Sequence, residues 1–299
     1  MTVVAVVGLG AMGLPMATRA ATQFEVRGCD LSPERLALAE AAGIHATASA
    51  EEAVAGADAV ILAVRNGAQL EDVLFGAHGI APALAPGAVV IMTSTVGIGS
   101  IPDVAARLAA GGVGFVDAPL SGGPVRAGQG DLLIVVGASE KDRAAVMPIL
   151  QCLASTLTIV GDRPGDGQAL KTVNQLLCGV HIAAAAEALA LAERLGLDPR
   201  AALDALSAGA ADSFMLRNRG ERMLDILAGE SPEVLSRLDI FVKDMGIVGD
   251  AARAAGLAAP VAASAEQLYL LGQAAGLAAE DDSAVIRVLR GAETGEASA

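Results

Sequence analysis

Gly8-Leu9-Gly10-Ala11-Met12-Gly13 is the stretch that decides how this chain of 299 residues is read. A β-branched run, Val3–Val7, leads into it, and a helical pattern, Leu14–Thr22, leads out. Glycines spaced in this way let backbone N–H groups approach a pyrophosphate at a helix N-terminus, where the partial positive charge favours an anion. In a chain with 35 glycines the spacing alone is weak, because a tight strand-to-helix turn without a ligand looks the same. Asp30 strengthens it. It ends the next strand, Glu25–Cys29, roughly 20 residues on, where the dinucleotide fingerprint places an acid. Its carboxylate can accept hydrogen bonds from the adenine ribose hydroxyls and would repel a 2′-phosphate. Leu31-Ser32 comes next, with no Arg, which favours NAD over NADP. Gly8, Leu9, Gly10, Ala11, Met12, Gly13 and Asp30 are therefore candidate cofactor contacts.

Outward from this loop the alternation continues to about residue 160. Ala59–Val64, Ala88–Met92 and Gly114–Asp117 read as strands that are apolar almost throughout, as in a parallel sheet covered on both faces. Pro33–Ala42, Ser49–Ala55 and Ser100–Ala110 read as helices, with Ser49 and Glu52 placed as a capping box and Gly43 as a helix stop. Leu132–Val136 and Thr156–Val160 add two strands around a helix, Glu140–Leu153. The pattern is that of a doubly wound α/β domain. Val64 ends one of its strands and Thr95 follows another, both at the carboxyl edge, where such sheets bind nucleotides. Arg65 and Asn66 come next after Val64 and could contact either ligand or only solvent.

The character then changes. Arg163-Pro164-Gly165-Asp166-Gly167 is a turn-rich boundary. Gln168 to Leu195 follows as one long Ala/Leu-rich helix, broken in composition only by Gly179. The rest reads as helices alone: Arg200–Ser207, a long one around Glu233–Ala255, Val261–Ala274 and Ser283–Leu289.

Composition narrows the function. With 54% hydrophobic residues the chain is too apolar for disorder and long enough for a sizeable core. The 34 acidic against 20 basic residues and the 2% of aromatics argue against nucleic acid, which asks for a basic surface and stacking rings. No run approaches the roughly 18 uncharged apolar residues of a membrane span, so no membrane partner is expected. The apolar N-terminus lacks a basic start and is interrupted by Gly8, Gly10, Gly13 and Pro15, unlike a secretory leader. Cys29, Cys152 and Cys178 are too scattered for a disulfide framework, and His45, His78 and His181 for a metal cluster. A soluble cytoplasmic protein without a metal is the expectation.

Three places carry side chains suited to chemistry. Ser121-Gly122-Gly123 puts a hydroxyl and two unhindered amides just beyond the strand carrying Asp117, a nest able to bind a carboxylate. Lys171 lies near the start of the long helix, on a face shared with Gln175 and Cys178 and flanked by Asn174. A lysine is uncommon in such a helix, and partial desolvation would lower its pKa towards the range useful for proton transfer; a snorkelling surface lysine is the bland alternative. Lys243 and Asp244 read by themselves as a surface ion pair. His181, on an apolar helix, reads as a packed or interface residue.

With these residues in view the chain resembles the β-hydroxyacid dehydrogenases, the family of 3-hydroxyisobutyrate dehydrogenase and tartronate semialdehyde reductase. The resemblance spans nearly the whole chain, at Gly8–Met16, Asp117–Gly123, Gly167–Gln175 and Phe241–Asp244 in that order. It implies an N-terminal Rossmann-like dinucleotide-binding domain (1–162), a long interdomain helix (163–195) and an all-α C-terminal domain (196–291), followed by a frayed tail (292–299). It also implies NAD as cofactor and assembly as a homodimer or homotetramer. By the same resemblance Ser121, Gly122 and Gly123 hold the substrate acid, and Lys171 is the general acid/base of hydride transfer. Asn174 and Gln175 contact substrate, and Lys243 reaches the cofactor or cleft. The commonest pattern has two asparagines where this chain has Asn174-Gln175. The glutamine, Gly179–Ala188 and Ser213–Arg219 look instead like the L-threonate dehydrogenase branch, from which Asn174 and Arg217 depart. The implied reaction is oxidation of a small hydroxy acid, a four-carbon sugar acid such as L-threonate, to its 2-oxo acid. 3-Hydroxyisobutyrate dehydrogenase or tartronate semialdehyde reductase activity is the alternative, and a non-catalytic dinucleotide-binding module a remote one.

Overall fold

The structure, a computed structural model, describes residues 1–290. The tail expected at 292–299, and residue 291 of the expected helical domain, lie outside the described residues. The chain forms two compact units, Met1–Lys171 and a second that begins at Thr172.

The first unit runs β1 (Val3–Val7), α1 (Gly13–Ala20), β2 (Glu25–Cys29), α2 (Pro33–Ala41), β3 (His45–Thr47), α3 (Ala50–Val54), β4 (Ala59–Leu62), α4 (Gly67–Phe75), β5 (Val89–Met92), α5 (Ile101–Ala110), β6 (Gly114–Asp117), β7 (Leu120–Ser121), α6 (Gly123–Gln129), β8 (Leu132–Gly137), α7 (Glu140–Leu153) and β9 (Ala154–Gly161). The sheet order is β3-β2-β1-β4-β5-β6-β8-β7, with β9 on β8. The strands from β3 to β6 in that order are parallel. Winding reverses between β1 and β4, and that switch point opens a crevice at the carboxyl edge. The period-2 pattern explains the layering. Val4 and Val6 face one core with Met16, Ala17 and Leu150, while Ala5 and Val7 face the other with Leu70, Ile101 and Leu108.

The apolar strands up to β6 are parallel, as their pattern predicts, whereas β8 and β9 run the other way, parallel to each other. Only the seven-residue α6 separates β7 from β8, too short to cross a sheet face. The chain doubles back and β8 runs antiparallel to β6 and β7. The expected strand at 156–160 becomes β9, an edge strand with largely exposed side chains. The capping box is half formed: Ser49 Oγ accepts from Glu52 N, but the Glu52 carboxylate accepts from Thr47 Oγ1. Helix α4 was not anticipated, because only Leu70 and Leu74 of it are buried. Asn66, a candidate ligand contact, is its N-cap, accepting from Gln69 N at 2.9 Å.

Helix α8 (Asp166–Arg194) continues from the first unit into the second, which adds α9 (Pro199–Ser207), α10 (Phe214–Leu227), α11 (Leu238–Ala254), α12 (Pro260–Ala274), a tight turn at Asp282–Val285 and α13 (Ile286–Arg290). By length and composition α8 could cross a membrane, with mean hydropathy 1.6 over 18 residues, which corrects the expectation that no segment approaches one. Half of that window is buried inside the protein, as in a core helix. Ile182, Ala186 and Leu189 pack with Phe241, Met245 and Tyr269. Gly179 lets the Met245 side chain lie where a Cβ would be, and its carbonyl accepts from Tyr269 Oη at 2.9 Å. Helix α11 starts at Leu238, later than expected, because the Asp281 carboxylate takes the amides of Leu235 and Ser236. Helix α10, unread in the sequence, hides its signal in arginines. Arg222 bonds Asp281 at 2.8 Å, and Arg219 grips the fully buried Asp282 through two nitrogens at 3.0 and 2.8 Å.

Candidate active site

The glycine loop leaves β1 at the switch point. Gly8 has φ +94°, and a Cβ on it would meet the Ala63 carbonyl oxygen at 2.4 Å. A Cβ on Gly13 would overlap the Gly8 oxygen at 1.7 Å, so the start of α1 can lie against the turn only with glycine there. Gly10 has no neighbour within 4 Å of its Cβ position, which leaves an open backbone face. That division matches the demands of a pyrophosphate loop: one glycine to turn, one to leave room, one to pack the helix. Asp30 closes the loop from β2. Its Oδ2 accepts from Leu9 N at 2.7 Å and its Oδ1 from Ser32 N at 2.9 Å. Ala11 and Met12 lie at the helix entry. Val64 follows β4 and packs on the core cluster beneath, and Thr95 lies in the loop after β5. The residues present thus fit a dinucleotide. Cys29 sits beside Asp30, its thiol pushed up to about 11 by burial and by that carboxylate.

The Ser121 loop connects β7 to α6. Gly122 and Gly123 both have positive φ, +144° and +76°, which side chains tolerate poorly. Lys171 is buried, 7% exposed, and its Nζ donates to Ser121 Oγ at 2.8 Å. The structure therefore joins two of the sequence-derived site elements, 50 residues apart, in the first unit.

Two residues left without a role in the sequence reading hold this arrangement. Asp117 ends β6 with no exposure at all. Its Oδ2 accepts from Gly165 N at 3.0 Å and Gln168 N at 2.8 Å, and its Oδ1 from Gln168 Nε2 at 2.9 Å. Burial pushes its carboxyl above the usual range, against the pull of bonds from Gln168, Gly165 and Gly167. Gln168, also fully buried, accepts from Val96 N at 2.9 Å and Gly97 N at 3.2 Å and donates to Ser94 O at 2.9 Å. A Cβ on Gly167 would come within 2.9 Å of Asp117 Oδ2. An acid closing a strand and a glutamine three residues before the lysine were the available signals.

The second unit carries the remaining candidates. Asn174 donates to Gln175 Oε1 at 2.8 Å and to Cys178 Sγ at 3.4 Å. Gln175 Nε2 donates to Asp244 Oδ2, and Lys243 Nζ donates to Asp244 Oδ1 at 2.6 Å. Asp244 is 2% exposed. The Lys243–Asp244 pair is therefore not a solvated surface pair: a buried carboxylate orients both the lysine and Gln175.

The family model described as the NAD-binding domain of 6-phosphogluconate dehydrogenase matches residues 3–161, and that described as NAD-binding of NADP-dependent 3-hydroxyisobutyrate dehydrogenase matches residues 165–289. An L-threonate dehydrogenase of Cupriavidus necator is 41% identical over 97% of this chain and 97% of its own length. One of Escherichia coli K12 is 36% identical over 96% and 95%. Among solved structures, a 3-hydroxyisobutyrate dehydrogenase from Salmonella typhimurium superposes with TM-score 0.88 at 38% identity, over 96% of this chain and 100% of that one.

Proposed function

The chain belongs to the β-hydroxyacid dehydrogenase family, and from that premise we propose that it oxidises a four-carbon sugar acid, L-threonate or a close relative, to its 2-oxo acid. It is an NAD-dependent hydroxyacid dehydrogenase; the substrate and the residue roles are the proposal. The observation that carries it is the hydrogen bond from Lys171 Nζ to Ser121 Oγ at 2.8 Å. NAD, when bound, supplies the hydride acceptor. Gly8–Gly13 hold its pyrophosphate and Asp30 its ribose, with Val64, Thr95 and Lys243 as further contacts. Ser121 and the amides of Gly122 and Gly123 take the substrate carboxylate. Lys171 takes the hydroxyl proton as the carbinol C–H bond breaks, and returns it in the reverse direction. Asn174 and Gln175 bind the sugar-acid hydroxyls, an amide-rich edge suited to a polar substrate.

Turnover of L-threonate, erythronate, 3-hydroxyisobutyrate and glycerate with NAD and NADP tests the substrate. The sugar acids with NAD are expected to lead, and turnover of 3-hydroxyisobutyrate alone would overturn the assignment. Lys171→Ala is expected to lower kcat by about 10²–10⁴-fold with NAD binding kept.

The same reading includes a homodimer or homotetramer. Val173, Leu177 and Leu191 lie on one face of α8 and are 57%, 50% and 57% exposed, an apolar stripe that a second copy would cover. Light scattering at the mass of one chain would refute it. The cysteines are free thiols, in keeping with a cytoplasmic location.

A further inference from the structure

Asp117 and Gln168 hold no ligand in the reading above, yet their polar atoms join three separate pieces of chain. The Asp117 carboxylate meets the first turn of α8, where helix amides lack partners and a negative charge is favoured. The Gln168 amide bonds the loop that carries Thr95 at three backbone atoms, Ser94 O, Val96 N and Gly97 N. Three residues beyond Gln168 comes Lys171, and four beyond Asp117 comes Ser121; the two meet at 2.8 Å. The strand end and the helix start are thus two short arms, closed by hydrogen bonds at both ends.

We propose that Asp117 and Gln168 are positioning residues that set Lys171 Nζ against Ser121 and hold the Thr95 loop in register with it. The inference rests on the role proposed for Lys171. A cap that served stability alone would need no buried charge, since a neutral Ser or Asn caps a helix about as well. Here a carboxylate is kept fully buried although burial disfavours its charge. What it adds is direction: its two oxygens divide between the α8 backbone and the Gln168 side chain, which fixes both rotation and advance of the helix start. Proton transfer needs its groups within hydrogen-bond reach, and a displacement of about 1 Å can cost about 10²-fold in rate.

The test uses Gln168→Met, which keeps the shape and removes the bonds, Asp117→Asn, Gln168→Glu, and the exchanged pair Asp117→Asn/Gln168→Glu, in which an amide at 117 again faces an acceptor at 168 while Ser94 O loses its donor, as it does in Gln168→Glu alone. In folded Gln168→Met, kcat is expected to fall by about tenfold or more, and the KM for NAD to rise, because the Thr95 loop is also released. In Asp117→Asn, kcat is expected to fall with the KM for NAD within about twofold. The pH–rate profile should shift in both. The exchanged pair is expected to recover kcat beyond the product of the Asp117→Asn and Gln168→Glu losses. Wild-type kcat and pH profile in a folded Gln168→Met enzyme would overturn the proposal. So would single variants and an exchanged pair that all fail to fold, which would make the role structural. Lys171→Ala, measured alongside, separates the two readings: activity retained there sinks the role of Lys171 itself. An inactive Lys171→Ala beside unaffected Gln168 and Asp117 variants sinks only the positioning.

Discussion

Asp30 has a duty in the glycine loop that its spacing does not reveal. Its carboxylate accepts from Leu9 N and Ser32 N, so it shapes the glycine loop besides the ribose contact proposed for it. Charge-assisted bonds of this kind contribute roughly 1.5–3 kcal/mol each. Asp30→Ala is therefore expected to raise the KM for NAD by about tenfold or more without creating useful turnover with NADP, because the loop loosens for either cofactor. Steady-state kinetics with both cofactors check this; efficient NADP turnover would show that charge repulsion alone was at work. Lys171 could be picked from the sequence because a charge in an apolar helix is conspicuous, and Asp30 because it ends a strand where the dinucleotide fingerprint places an acid. Asp117, Gln168 and Asp244 could not. Their importance comes from partners at distances of 48, 51, 69 and up to 74 residues, which no local pattern reveals.

At the scale of elements, the glycine loop shows why three glycines are not interchangeable. A Cβ at position 13 overlaps a backbone oxygen, and no rotamer change relieves it. A Cβ at position 10 meets nothing. Gly13→Ala is expected to shift α1 and destabilise the unit by roughly 2 kcal/mol or more, with NAD binding lost. Gly10→Ala is expected to melt like wild type yet bind NAD weakly, since the methyl group occupies the side left open for phosphate. Thermal melts beside NAD titrations decide, and equal melting of the two variants would contradict the argument. Most strands and helices were readable because burial on two faces forces long apolar runs and helical periodicity, whereas β3 and β7, of three and two residues, are too short to carry either pattern. Helix α10 was not, because its inward face includes Arg219 and Arg222, whose charges resemble surface residues until Asp281 and Asp282 are placed beside them. The late start of α11 has the same origin.

In the molecule as a whole, that buried ionic cluster makes stability depend on pH. Burial alone would raise the Asp281 carboxyl, but hydrogen bonds from Ser283 and Arg222 hold it below the usual range. A carboxyl lowered on folding contributes stability that is present above its unfolded value of about 3.9 and is lost as pH falls through its folded value. Asp282 runs the other way, raised by burial in spite of Arg219. Comparison of Asp281→Asn with wild type isolates the first effect. The variant is expected to lose roughly 3 kcal/mol at neutral pH, where Arg222 is left with a neutral partner, and to show a flatter fall of Tm below pH 4. A parallel pair of Tm–pH curves would argue against it.

By itself the sequence determined the α/β class of the first half and the helical character of the second, and it singled out the glycine loop with its acid and the lysine and serine of the candidate site. Each of these is written in local order: a period of two or 3.6, a glycine at a turn, a charge within an apolar run. Only the tertiary structure decided that β8 turns antiparallel, that Lys171 meets Ser121, and that the buried Asp117, Gln168 and Asp244 bond partners far along the chain. Hydrogen bonds and buried charges are satisfied by partners brought close through folding, and a partner tens of residues away leaves no mark in the local pattern of either residue.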